Sequence, residues 1–212
     1  VCAYSLESSI NAEKAGAGRI ELCGGLGEGG TTPSAGLIQQ VKSKVNLPVY
    51  VMIRPRGGDF IYNEHEIELM HADIDIARQY GADGVVFGVL HANGTVNIEA
   101  TRSLVERAAG MGVTFHRAFD VTRDASEALE AVIQTGAERI LTSGLKANVT
   151  LGLNTIRELT QQAANRIEIM AGAGVGAKNA VLLKEAGVGS IHLTGKKFRA
   201  SEQAYYPEGV SM

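Results

Sequence analysis

The chain has 212 residues, 45% of them hydrophobic and 20% charged, with a formal net charge of -3. That is room for one ordinary domain with a real core, not for two. The near-neutral charge and the lack of a basic run argue against a nucleic-acid binder. No apolar run reaches the length of a membrane span, and the residues from Val1 onward do not read as a secretory leader, so none is expected. With two cysteines, the composition reads as a cytoplasmic protein with reduced thiols. It starts at Val1 without a Met, so further residues are expected upstream.

Glycine supplies 26 residues, well above the ordinary share of about 7%. Gly16, Gly81, Gly136 and Gly187 each close a helical stretch and precede a short apolar run, as the left-handed C′ position of a helix requires. In chain order, strands are expected near 1–4, 19–23, 48–54, 85–90, 113–118, 139–143, 167–171 and 190–194. Helical periodicity fills the gaps at 6–15, 35–45, 64–80, 100–109, 125–135, 153–164 and 177–186. The stripe Ile67, Met70, Ile74 and Ala77 is typical. Eight strands alternating with helices predict an α/β chain folded as a closed TIM (β/α)8 barrel, residues 1–212 as one domain. An open doubly wound sheet would want a glycine-rich turn after the first strand, and Tyr4-Ser5-Leu6-Glu7 is not one. After the eighth strand 18 residues remain, and Tyr205 to Gly209 is a poor helix. The last helix is expected to be missing or atypical, leaving a flank that a second copy of the chain could cover.

Function in such a barrel sits at the C-terminal ends of the strands. Strand alternation puts Glu21 with Cys23, Met52 with Arg54, Thr114 with His116, Glu168 with Met170, and His192 with Thr194 on common faces. Carboxylates, arginines and histidines there point to a site, although Glu21, Arg54 and Glu168 also suit a buried ion network. His116, followed by Arg117 and near Asp120, has the pattern of an acid/base group, or of a structural histidine. His192 reads as a core histidine. Arg54 and Arg56, around a proline and followed by two glycines and Asp59, suit a clamp on a planar carboxylate or phosphate, or a structural clamp on the mouth. Gly172, Gly174 and Lys196 occupy the place where many barrels hold phosphate. Cys2 and Cys23 fall on adjacent strands about 4.8 Å apart, and with Met52 or Met170 close by they suit a soft ion such as Cu(I). They equally suit two buried core thiols, since no Cys-x-x-Cys spacing is present.

Several runs are familiar together: Arg19-Ile-Glu-Leu-Cys23, Glu28-Gly-Gly-Thr-Thr-Pro-Ser34, Val51-Met-Ile-Arg-Pro-Arg-Gly-Gly-Asp-Phe60, Val113-Thr-Phe-His-Arg-Ala-Phe-Asp120, Arg139-Ile-Leu-Thr-Ser-Gly144 and Ile169-Met-Ala-Gly-Ala-Gly-Val175. The whole chain resembles the copper homeostasis protein CutC family. The resemblance implies a cytoplasmic TIM barrel with a role in copper tolerance, and Cu(I) binding by Cys2 and Cys23. It also implies a further helix beyond the end of this chain. Two functions compete: Cu(I) binding through the two thiolates, and an enzyme acting on a small anionic metabolite. In the enzyme, Arg54, Arg56, Asp59, Arg117, Gly172, Gly174 and Lys196 would hold the substrate, with His116, Glu21 and Asp120 catalytic. A non-catalytic scaffold is a third reading, supported only by the uncovered flank.

Overall fold

The structure is a computed structural model that describes residues 1–197, 200–205, 207 and 209. Its strands are β1 (Cys2–Ala3), β2 (Ile20–Leu22), β3 (Val49–Met52), β4 (Gly84–Phe87), β5 (Gly112–Phe115), β6 (Arg139–Thr142), β7 (Glu168–Gly172) and β8 (Ser190–His192). All seven adjacent pairs are parallel, in sequence order. A hydrogen bond from Cys2 N to Leu193 O, 3.0 Å, brings β1 to the end of β8 and closes the TIM barrel. The helices are α1 (Leu6–Lys14), α2 (Ala35–Lys44), α3 (Glu64–Gln79), α4 (Ile98–Arg107), α5 (Ala125–Thr135), α6 (Leu153–Ala163) and α7 (Ala177–Glu185). Among the described residues after β8 no helix follows, and Tyr206 and Glu208 of the Tyr205–Gly209 stretch lie outside them. Most strands are shorter than the sequence suggests. Their last residues, including Arg54 and His116, leave the ladder to form the mouth.

Strand alternation divides the barrel into two layers. Ile20, Leu22, Val49, Val51, Val85, Phe87, Val113, Phe115, Ile140 and Ile169 face outward into the shell of helices and form the main core. The helices meet them with short stripes such as Met70, Ile74 and Ala77, all fully buried. Local capping fixes where these helices start: Ser5, Ser34, Asn63, Asn97 and Asp124 each accept a backbone N–H of the first turn. The inward layer is different. Gly84 and Gly112 leave space for the ring of Tyr50; a Cβ on either would lie 2.2 or 2.1 Å from it. Around that ring, Arg139 pairs with Glu168 at 2.8 Å and donates to Thr114 Oγ1 at 3.1 Å. Arg19 and Arg139 both lie over the Tyr50 ring. This cluster plugs the N-terminal end of the barrel and leaves the interior above it to Cys2, Tyr4, Glu21, Cys23, Met52 and His192.

Candidate functional site

Cys2 and Glu21 are ladder partners across β1 and β2, so Cys23 lies two residues further along the neighbouring strand. Strands about 4.8 Å apart, rising about 3.3 Å per residue, put the two cysteine Cα atoms about 8 Å apart. A disulfide spans only about 4.4–6.8 Å between Cα atoms, so this pair cannot oxidise to one without backbone movement. The side chains nonetheless lean together: Sγ to Sγ is 3.7 Å, and both cysteines are free. Cys23 is 1% exposed and packs with Met52 and Val86, while Cys2 is half-buried. Cys2 Sγ, a Glu21 carboxylate oxygen and Cys23 Sγ all lie within 4.8 Å of one another, a group with the donors to hold a metal ion. Cys23 Sγ lies 3.8 Å from Glu21 Oε1.

His192, from β8, turns inward and meets Glu21, with Nε2 3.1 Å from Oε1. His192 and Tyr4 also act on Cys2, each lowering its pKa. The proton distribution follows from these contacts. Hydrogen bonding to the Cys23 thiol, with His192 and Tyr4, brings the Cys2 pKa down to about 6 against the opposing effect of burial. The same bond, with burial and the Glu21 charge, pushes the Cys23 thiol well up. Burial acts to lower the His192 pKa, but Glu21 and Cys2 outweigh it and raise it to about 10. Glu21 is desolvated, yet the facing His192 holds its carboxyl below the usual range. At neutral pH these shifts favour a thiolate on Cys2, a thiol on Cys23, an imidazolium and a carboxylate.

A pH dependence follows for the metal-free protein. In the unfolded chain Cys2 keeps its proton up to about pH 8.5 and His192 loses its own near 6.5. Folding moves that proton from Cys2 to His192, so between these values the pair binds the same number in both states and contributes no slope. In Cys2→Ser the contribution of Cys2 to the raised His192 pKa is lost, and Glu21 alone keeps it raised. The His192 contribution to stability is present in full below pH 6.5 and is lost as pH rises toward the folded value. Relative to the parent chain, Cys2→Ser should lose unfolding free energy from pH 6.5 to 8.5, by at most about 1.4 kcal/mol per pH unit while His192 stays protonated. Urea titrations across that range check it. A difference between the two proteins that does not change with pH would show that the proton does not move as described.

The other residues named from the sequence are placed as follows. Arg54 is buried at the end of β3, with Nη1 donating to the carbonyls of Glu28 (2.7 Å) and Gly30 (2.9 Å) and Nη2 to Gly58 O (2.8 Å). Arg56 donates to Glu66 at 2.6 Å, pairs with Asp59 at 3.1 Å and reaches Ile61 O. Asp59 also accepts from Ile61 N. Asp120 accepts from Thr142 Oγ1, Ser143 N and Oγ, Leu145 N and Arg117 Nε. It tethers the loop after β6, and His116 is not among its hydrogen-bond partners. His116 Nδ1 accepts from Ala118 N at 3.3 Å, and its ring stacks edgewise on Phe60. Burial and the Arg54 charge hold its pKa down at about 3, so it is neutral. Gly172 ends β7 against Leu141 and His192, and Gly174 has φ +74°. The turn between them and α7 is satisfied internally, with Asn179 accepting from Gly176 N and donating to Gly174 O. Lys196 lies after β8 beside a cavity of about 1250 Å³ that also reaches Cys2, Glu21, Arg19 and His192. The expected network of Glu21, Arg54 and Glu168 is three separate arrangements: Glu21 faces His192, Glu168 faces Arg139, and Arg54 faces carbonyls.

Sequence comparison adds the ancestry. The family model described as "CutC family" matches residues 1–197. The chain belongs to the CutC family. A CutC family protein of Pasteurella multocida is 48% identical over 211 residues, covering 99% of this chain and 86% of its own length. A mouse relative named copper homeostasis protein cutC homolog is also 48% identical, covering all of this chain and 78% of its own. A solved CutC structure from Streptococcus agalactiae superposes with a TM-score of 0.84 at 38% identity, covering 90% of this chain and 95% of that one. An aldolase at 18% identity and TM-score 0.70 shares the barrel and no more.

Proposed function

We propose that this CutC chain binds Cu(I) through Cys2 and Cys23 and acts in copper homeostasis in the cytoplasm. The observation that carries the reading is the thiol pair: two free sulfurs 3.7 Å apart on strands whose offset disfavours a disulfide. Thiolates making metal bonds of about 2.3 Å, as they do to zinc, can share one ion at that separation. The donors are soft, and Met52 packs beside Cys23, a combination that selects Cu(I) over harder ions. The names of the mouse and human relatives support the same reading. Cys2 needs little deprotonation at neutral pH, so loading releases chiefly the Cys23 proton. Glu21 holds His192 beside the sulfur and completes the surround.

The enzyme reading draws less from the geometry. Arg54 and Arg56 point their N–H groups at protein oxygens, and among the described residues no carboxylate hydrogen-bonds His116. The test is anaerobic Cu(I) competition against a calibrated chelator with the full chain. One tightly held ion per chain supports the proposal, and failure to compete for any would end it.

A further inference from the structure

Arg54 answers a question the site itself raises: how an ion reaches Cys23, which is almost wholly buried. The segment between β2 and α2 folds back over the thiols. Gly24 and Thr31 bridge its two ends with paired backbone hydrogen bonds of 2.9 Å. Gly30, at φ +108°, then lies so close that a Cβ there would be 3.4 Å from Cys23 Sγ and 3.7 Å from Tyr4 Oη. The tip at 26–28 faces solvent, with Leu26 54% exposed, so little apolar burial holds it down.

What holds it is Arg54. Its guanidinium donates to Glu28 O and Gly30 O in this loop and to Gly58 O in the next one. Its backbone exchanges hydrogen bonds with Thr32, the amide donating to Oγ1 at 3.0 Å and the carbonyl accepting from Thr32 N at 2.9 Å. Phe60 stacks beneath the guanidinium at 4.9 Å and rests in turn on the neutral His116 ring. A planar fork with fixed N–H directions suits three carbonyls from two loops in a way an ammonium does not. Among the described residues its Nε finds no partner, which fits a fork placed for its Nη donors.

We infer that Arg54 is a positioning residue of the thiol site, latching the 24–33 loop over Cys23 and so setting how fast a metal enters and leaves. The inference rests on the proposed metal role for its copper consequence, but not for its effect on Cys23. The test therefore has two arms. In the first, the metal-free full chain is treated with N-ethylmaleimide under native conditions, and initial alkylation rates of Cys2 and Cys23 are read separately by mass spectrometry. Loss of the latch in Arg54→Ala should raise the Cys23 rate at least about tenfold, with Cys2 changing by less than about twofold and Arg54→Lys falling between. Thr32→Val weakens the same loop from its other side and should act in the same direction if Arg54→Ala does not fold. An unchanged Cys23 rate in folded variants overturns the inference. So does a parallel rise at both cysteines, which would mean general loosening.

In the second arm, Cu(I) transfer from the loaded chain to a chelator should be at least about tenfold faster in Arg54→Ala, with a smaller change in equilibrium affinity, because an open loop speeds entry and exit together. A slower or unchanged release overturns the gating role. If the parent chain takes up no Cu(I), the copper reading fails, while the alkylation arm still decides whether Arg54 guards Cys23.

Discussion

Serine in place of Cys23 is expected to weaken Cu(I) binding by more than about 100-fold, because even changes behind a metal ligand commonly cost about 10–100-fold. The substitution replaces a soft sulfur by a hard hydroxyl in a pocket lined by Met52 and Val86, with no other sulfur ligand on β2. Cys2→Ser should cost as much, for a second reason as well. It removes the sulfur whose pKa Cys23, His192 and Tyr4 lower to about 6. Glu21→Gln is the informative intermediate. It keeps the shape of the side chain but removes the charge that keeps His192 protonated at the edge of the site. A loss of about 10–100-fold is expected there. Chelator competition at neutral pH reads all three. Equal affinity for the parent chain and both cysteine variants would place any bound copper elsewhere.

Much of this arrangement was legible in the sequence. The alternation of β2, β3, β5 and β7 names Glu21, Cys23, Met52, Thr114, Glu168 and Met170 as inward residues, and they are inward, because a parallel barrel strand has only two faces. The apposition of Cys2 and Cys23 follows from consecutive strands in a parallel barrel. What stayed hidden depends on closure and on loops. His192 looks like a core residue when its neighbours Ile191 and Leu193 are considered alone. Only when Cys2 N bonds Leu193 O does β8 bring the imidazole to Glu21, 171 residues away in sequence. Tyr4 is missed for the same reason.

The arginines were legible as a clamp but not as to what they clamp. A guanidinium reads an external carboxylate and a protein carbonyl with the same donors, and the loop carbonyls of Glu28, Gly30 and Gly58 have no sequence signature. Asp120 is similar. Its proximity to His116 in sequence suggests a dyad, whereas the 3-10 turn at Arg117–Val121 carries it across to the loop after β6. Arg54 and Arg56, expected as an anion clamp, are internal braces of the loops after β2 and β3.

The plug at the other end of the barrel gives the second large effect. Glu168→Leu is expected to lower the unfolding free energy by about 3 kcal/mol, the lower end of the range for breaking a buried ion pair. The reasoning turns on which partner is left behind. The Arg139 side chain is 8% exposed and that of Glu168 29%. Without the carboxylate, Arg139 keeps Thr114 Oγ1 and the Tyr50 ring, but its Nη2 loses its carboxylate acceptor while its Nε already has no partner among the described residues. Ser190 Oγ, which donates to Glu168, is orphaned as well. The reverse change, Arg139→Met, leaves a carboxylate that water can reach and that Ser190 still serves, so a smaller cost of about 1–2 kcal/mol is expected. Making both changes should recover much of the loss, since the charge and its partner leave together and an apolar pair of similar volume fills the space. Urea unfolding of the four chains completes the cycle. If Arg139→Met proves the more damaging single change, the plug is held by the arginine's contacts to Tyr50 and Thr114, and the ion pair is incidental.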